Sequence, residues 1–309
     1  HGWLRIPQVL SADELAAVQG AATPSGSNVF ATVDDLPAAP LFCGVDADSI
    51  LERASLRRVV SPFLEDPRTI ATGGTVRIAN GCEVRDGFLV KVGLPRNVLA
   101  LLQIVEYLRA FLFGRLGWSP LNAVLIISGA FGVFDKESVV AAGGYRHDTI
   151  GEDMELVVRL HRYCREKKIP YKVTFVPDPV AWTECPESLT VLGRQRDRWQ
   201  RGLSEVLLRH KRMLFNPRYG RVGMLAYPYF FFLEMLGPFI EMAGYVAFIL
   251  TVVVGRANGP YVLAFLLVAF VLGISLSLAA VALEEMSFHR YPGMRSLVSL
   301  FGLAVFESL

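Results

Sequence analysis

Three groups of residues in this chain have the types and spacings that chemistry requires. Asp46 and Asp48 follow a short apolar run. Side chains two apart on an extended backbone point the same way, so both carboxylates can converge on one cation or one ligand. Hard oxygen ligands of this kind suit Mg²⁺ or Mn²⁺, and such an ion can neutralise a leaving diphosphate. Asp153, in Gly151-Glu152-Asp153, stands at a helix start, where the positive end of the dipole favours its ionised form. An ionised carboxylate in a pocket can accept the proton of an attacking hydroxyl. Gln195, Arg198 and Trp199 stand at i, i+3 and i+4 and share one helix face. Arg198 offers a planar fork for phosphate oxygens. Trp199 offers a flat apolar surface on which a sugar ring can rest, and Gln195 can donate and accept at once.

Each group alone has a plainer explanation. A D-x-D pair occurs often by chance as two solvated loop acids. Acids in a first helical turn are commonly capping groups, and Glu152 can be only that. A core tryptophan explains Trp199, but not the Gln and the Arg beside it. It is the combination and order that carry information.

These residues need elements to hold them. Leu41–Val45 reads as a buried strand ending at Asp46, Ser49–Pro62 as a helix, and Thr69–Ile78 as a strand interrupted at Gly73-Gly74. Val98–Phe113 carries apolar residues at helical spacing, and Leu121–Ser128 is a further apolar strand candidate. Glu152–Arg165 is predicted helical, with Leu156, Val157, Leu160 and Tyr163 on one face. Tyr171–Val176 reads as a strand bounded by Pro177 and Pro179, and Ser188 can cap the helix that carries the Gln-Arg-Trp set. Residues 1–40 show no sustained period beyond a short helix at Ala12–Gln19. Alternating strands and helices predict an α/β domain over 41–222.

After Arg221 the character changes. Met224–Val254 is apolar except for Glu234 and Glu241, with Pro228 and Pro238 as breaks, which predicts a surface-lying helix feeding a transmembrane one. Gly255–Pro260 reads as a tight turn, and Tyr261–Leu283 as a second span. Basic residues flank both: Arg209, Lys211, Arg212, Arg218 and Arg221 before, Arg290 and Arg295 after. The positive-inside tendency puts these flanks, and the α/β domain, on the cytosolic side of a plasma or inner membrane. Glu234 and Glu241 either line a polar path for product or, in the plainer reading preferred here, sit at headgroup level and against a neighbouring helix.

The bulk composition agrees. The 309 residues are 52% hydrophobic, with a mean hydropathy of +0.39, more apolar than an ordinary soluble domain. A formal net charge of +2 gives no reason to expect a nucleic-acid partner. Cys43, Cys82, Cys164 and Cys185 form no CxxC pair, so neither a zinc site nor a disulfide framework is indicated.

In this order and setting, Asp46/Asp48, Glu152/Asp153 and Gln195/Arg198/Trp199 resemble the motifs of the membrane-embedded family 2 glycosyltransferases, the group of cellulose, hyaluronan, chitin and poly-N-acetylglucosamine synthases. The resemblance covers roughly Leu41 to Leu283. It implies a GT-A-type, Rossmann-like fold, a UDP-sugar donor, a divalent metal and inversion at the anomeric carbon. It further implies that Asp46 and Asp48 hold metal and diphosphate with Arg198 beside them, and that Asp153 is the base. Glu152, Gln195 and Trp199 would line the acceptor end, and Ser128-Gly129-Ala130-Phe131 stands where the family has a loop beside the acceptor. Implied partners are a polysaccharide or lipid-linked acceptor, membrane lipid and an accessory export subunit.

One departure stands out. The family's fold opens with a strand and an acidic residue that grips uridine, followed by a Lys-containing loop, and nothing in residues 1–40 fits. Asp34-Asp35 lies too close to Asp46 to be that site. With a start at His1 and an end inside the apolar run Leu297–Phe306, the chain is expected to be a fragment, N-terminally incomplete and truncated within its membrane region. Two other readings share these residues: a single-addition transferase acting on a lipid acceptor, and a catalytically silent membrane scaffold of the same fold.

Overall fold

The computed structural model describes residues 2–4, 40–256, 258–288, 291 and 294–307; the helix expected at 12–19 lies outside them. The chain forms a mixed α/β architecture around a six-stranded sheet. Its strands in chain order are β1 (Gly2–Leu4), β2 (Leu41–Val45), β3 (Ile50–Leu51), β4 (Thr69–Ile78), β7 (Gly132–Asp135) and β8 (Lys172–Thr183), and a separate hairpin pairs β5 (Glu83–Arg85) with β6 (Phe88–Lys91). The spatial order is β1-β2-β7-β4-β8-β3. β4 runs parallel to β8 and antiparallel to β7.

β4 is buried along all ten residues, as a central strand covered on both faces must be. Gly73 and Gly74 do not interrupt it. They admit a crossing segment instead: a Cβ on Gly74 would stand 2.4 Å from the Phe131 ring, and one on Gly73 3.1 Å from Ile127. β8 also outruns its expected end at Val176, because Pro177 and Pro179 fall where the ladder with β4 skips from Gly73↔Phe175 to Thr75↔Val180. Prolines are tolerated at such a bulge, where no ladder N–H is needed. The Thr75 hydroxyl donates to the Pro177 carbonyl there at 2.8 Å.

The main helices are α1 (Ser55–Glu65), α2 (Val98–Leu108), α3 (Lys136–Ala141), α4 (Glu152–Lys167) and α5 (Leu189–Arg209). α1 begins six residues later than expected from Ser49, since Ile50 and Leu51 pair with β8 instead. The stretch 121–128 is not a strand. Its apolar residues report burial rather than pairing, and side chains take its carbonyls: His161 bonds Val124 at 2.9 Å and Arg115 donates to Ile126 at 3.3 Å. Asn97 caps α2 and Ser188 caps α5, each through its side-chain oxygen.

Beyond α5 the chain continues through α6 (Gly237–Val253), α7 (Gly259–Leu266), α8 (Leu272–Ser287) and α9 (Met294–Glu307). Val206 and Leu207 of α5 share one core with Val222, Ala226, Tyr227 and Met235, so packing runs across the change in composition at Arg221. Among the described residues no single helix is long and apolar enough to cross a membrane. Val222–Met235 and Gly237–Val253 qualify only as a pair bent by 47°, close to the break expected at Pro238. The second expected span, Tyr261–Leu283, is divided into α7, a π-helical segment Leu267–Val271, and α8.

Candidate active site

A cavity of about 1040 Å³ opens where the loop after β2, the N-terminus of α4 and the N-terminal half of α5 meet. Asp46, Asp48, Glu152, Asp153, Gln195, Arg198 and Trp199 all line it. Residues spread over 154 positions of sequence therefore face one space.

Gly129, also in its lining, stands between two of these carboxylates. A Cβ built there would lie 3.8 Å from Asp46 Oδ1 and 3.8 Å from Asp153 Oδ2, so the D-x-D turn and the α4 carboxylate flank one backbone position. The Gly129 amide donates to Asp153 Oδ2 at 3.0 Å, and the Met154 amide to Oδ1 at 2.7 Å. These two bonds fix the carboxylate at the start of α4. Burial raises the Asp153 carboxyl above the usual carboxylate range, the Glu152 charge adds to the rise, and the two amides with Arg115 oppose it. Asp46 is raised too, first by burial and then by the charge of Asp48, while Arg198 pulls it down.

That like-charged pair is what a cation would relieve. Among the described residues no group of three or more His, Cys, Asp or Glu side chains could hold a metal. Asp46 and Asp48 nevertheless fit Mg²⁺ or Mn²⁺, which are often bound by one or two carboxylates with phosphate oxygens completing the shell.

α5 presents Gln195, Arg198 and Trp199 to the cavity as the helical spacing requires. Trp199 is 42% exposed, so it is not a core tryptophan. Gln195 Oε1 is buried without a hydrogen-bond partner among the described residues. α4 and α5 are tied together behind the site by Glu155, which is fully buried. It receives Arg159 at 3.0 Å and His210 at 3.2 Å. Arg159 also donates to the Ala142 and Gly144 carbonyls, anchoring the loop before α4.

Three lining residues were not evident from sequence. Glu106 is the lone acid of an apolar helix, which was its signal. Arg196 is paired with it. Arg115, stacked 3.8 Å from the Phe111 ring centroid, adds a cation near Asp153, and its burial lowers its pKa to about 10. Of the two glutamates in the apolar region, Glu234 lines the cavity, and Glu241 accepts the Tyr245 hydroxyl at 3.1 Å.

Several known proteins are similar to this chain. Poly-beta-1,6-N-acetyl-D-glucosamine synthase of Staphylococcus aureus (strain COL) is 32% identical over 167 residues, 53% of this chain and 35% of that protein. The Staphylococcus epidermidis synthase of the same name is 27% identical over 165 residues, again 53% and 35%. The match thus spans about a third of the length of these relatives. A solved mannosyltransferase from Pyrobaculum calidifontis, in complex with GDP-Man and Mn²⁺, covers 91% of this chain and 67% of its own, at 17% identity and a TM-score of 0.42, too low to carry an argument. The decisive match is to the family model for glycosyl transferase family group 2, which takes in residues 42–278, from the first strand before Asp46 to the middle of α8. The chain belongs to glycosyl transferase family group 2.

Proposed function

We propose that this chain transfers a sugar, with inversion, from a UDP-sugar to the end of a growing polysaccharide at a membrane, using a GT-A-type domain on the cytosolic face. The observation that carries the reading is the single cavity shared by Asp46, Asp48, Asp153, Arg198 and Trp199. Asp153 takes the proton of the acceptor hydroxyl, whose oxygen forms the new bond to the anomeric carbon. The bond from that carbon to the diphosphate breaks, and UDP leaves with the electron pair. Arg198 stabilises the charge that develops on the diphosphate. Asp46 and Asp48 would hold a divalent ion, which supplies Lewis-acid stabilisation of the same charge. Glu152, Gln195 and Trp199 bind the acceptor.

The polymer product is inferred from the synthases named above, each matched over only part of its length. Membrane residence is supported by the bent pair Val222–Met235 and Gly237–Val253 and by the exposure of Phe239, Ile240, Met242, Val246, Ile249 and Leu250 on α6. An accessory export subunit would take the product onward. The test is UDP release from a panel of UDP-sugars, UDP-N-acetylglucosamine first, by membranes carrying the full-length protein, with products sized. Long products support polymerisation. A single added sugar on lipid would replace it with the lipid-acceptor reading, and no turnover with any donor would favour the silent scaffold.

A further inference from the structure

Trp199 is a large apolar ring left 42% exposed in the cavity wall. An indole so exposed has several rotamers open to it, and a stacking surface is useful only in one. Its ring is backed by a cation: the Arg196 guanidinium lies 4.6 Å from the ring centroid. Arg196 is in turn gripped through both of its terminal nitrogens by the two oxygens of Glu106 on α2. Such a two-point pair fixes the plane of the guanidinium as well as its position, which a lysine cannot do. The pair is only about one-third exposed on either side, so it is partly shielded from water.

α2 is itself fastened to the loop that leads into α5. Asn97 Nδ2 donates to the Glu187 carbonyl at 3.0 Å, and Gln103 Nε2 to the Pro186 carbonyl at 2.8 Å. Next to Trp199 in the chain, Gln200 Nε2 donates to the Met235 carbonyl at 2.8 Å. Glu106 therefore sits on an element tied at two points to the loop that leads into α5, and Arg196 and Trp199 share a face as i and i+3.

We propose that Arg196, clamped by Glu106, is the positioning residue of the acceptor platform: it holds the Trp199 ring in the one orientation against which a neutral pyranose can stack. The inference rests on the reading of this cavity as a glycosyl-transfer site. It assigns Arg196, which falls between the Gln195 and Arg198 of the motif, a role in acceptor affinity rather than in donor binding.

The test uses the full-length protein in membranes, UDP-N-acetylglucosamine as donor and a β-1,6-linked N-acetylglucosamine oligosaccharide as acceptor. Arg196→Gln, Arg196→Lys and Glu106→Gln are compared with wild type, each also in a Trp199→Ala background. Trp199 emission is taken, for purified protein, as the difference between each protein and its Trp199→Phe counterpart. A cation–π contact of the usual strength corresponds to a rise in acceptor KM of roughly 3- to 30-fold in Arg196→Gln and Glu106→Gln, with donor KM unmoved. Arg196→Lys recovers part of the loss, since it keeps the cation but not the fork. Trp199 emission shifts in both Gln variants, and neither adds a further loss once Trp199 is Ala. Wild-type turnover with an unmoved acceptor KM, or equal losses for donor and acceptor, overturns the positioning role while leaving the transferase reading intact. A wild-type protein that releases no UDP overturns the transferase reading, and the acceptor role with it.

Discussion

Gly202 of α5 and Gly151 before α4 touch backbone to backbone: a Cβ on Gly202 would stand 3.0 Å from the Gly151 nitrogen and 3.1 Å from its Cα. The contact sets the distance between Trp199, one turn earlier on α5, and the turn that opens at Asp153. Backbone cannot swing aside as a side-chain tip does, so Gly202→Ala must push the two elements apart. Overpacking of this kind costs about 1–3 kcal/mol of stability, and small misplacements of reacting groups cost up to about 100-fold in rate. Gly202→Ala is expected to stay folded, with a lowered Tm and a transfer rate down by at least about tenfold. Wild-type kcat in a folded Gly202→Ala variant would show that the contact does not position the reacting groups.

The pH dependence follows from Asp153. As the proposed base it must be ionised, and burial raises its pKa, so kcat/KM is expected to fall as pH drops through a value above the ordinary aspartate pKa of about 4. The stability effect has the opposite sense. A carboxyl whose pKa is raised by folding contributes stability below its unfolded pKa and loses it as pH rises through the folded one. Asp153→Asn should therefore unfold at a higher temperature than wild type at neutral pH, where the ionised carboxylate is penalised. Thermal scans of both proteins across pH check this, and an Asn variant less stable than wild type at neutral pH would contradict it.

Two carboxylates make a weak metal site by themselves. Mn²⁺ is expected to bind feebly to the free protein and much more tightly once UDP supplies phosphate oxygens. Asp48→Asn should lose that coupling, and chelation should stop transfer until Mg²⁺ or Mn²⁺ is returned. Calorimetric titration of Mn²⁺ with and without UDP measures it. Equal affinity in the two cases would mean that the metal is not shared with the diphosphate.

α8 is tied to the sheet by a buried ion pair. Arg77, on β4 beside the cavity-lining Val76, donates to both oxygens of Glu284 on α8 at 2.8 and 2.6 Å, with side chains 1% and 3% exposed. Removing one partner strands a buried charge, a loss of about 3–5 kcal/mol, whereas replacing both by apolar residues is often neutral. Glu284→Gln should lower Tm markedly, and Arg77→Met combined with Glu284→Met should restore most of it. Unchanged thermal stability in Glu284→Gln would show that α8 does not dock this way.

Much of the candidate site was legible in sequence because Glu152, Asp153, Gln195, Arg198 and Trp199 lie on regular helices. Helical spacing put Gln195, Arg198 and Trp199 on one face, and Ser188 marked the start of their helix. The strand before Asp46 and the helix from Glu152 stand where periodicity put them. Long-range pairing was not legible. The apolar period of 121–128 is identical whether a ladder or side chains satisfy the backbone, and Pro177 could not reveal that β4 leaves room for a bulge. Arg196 was passed over because only the Gln195 face was followed, and its partner Glu106 lies 90 residues away.

Asp153 is proposed to be the base of the shared cavity. The most direct measurement is the single-turnover rate of sugar transfer by Asp153→Asn, with UDP affinity measured in the same preparation. A positioned general base contributes about 10²- to 10⁴-fold, so transfer should fall by that much while UDP binds as in wild type. An Asn variant that transfers at the wild-type rate would exclude Asp153 as the base.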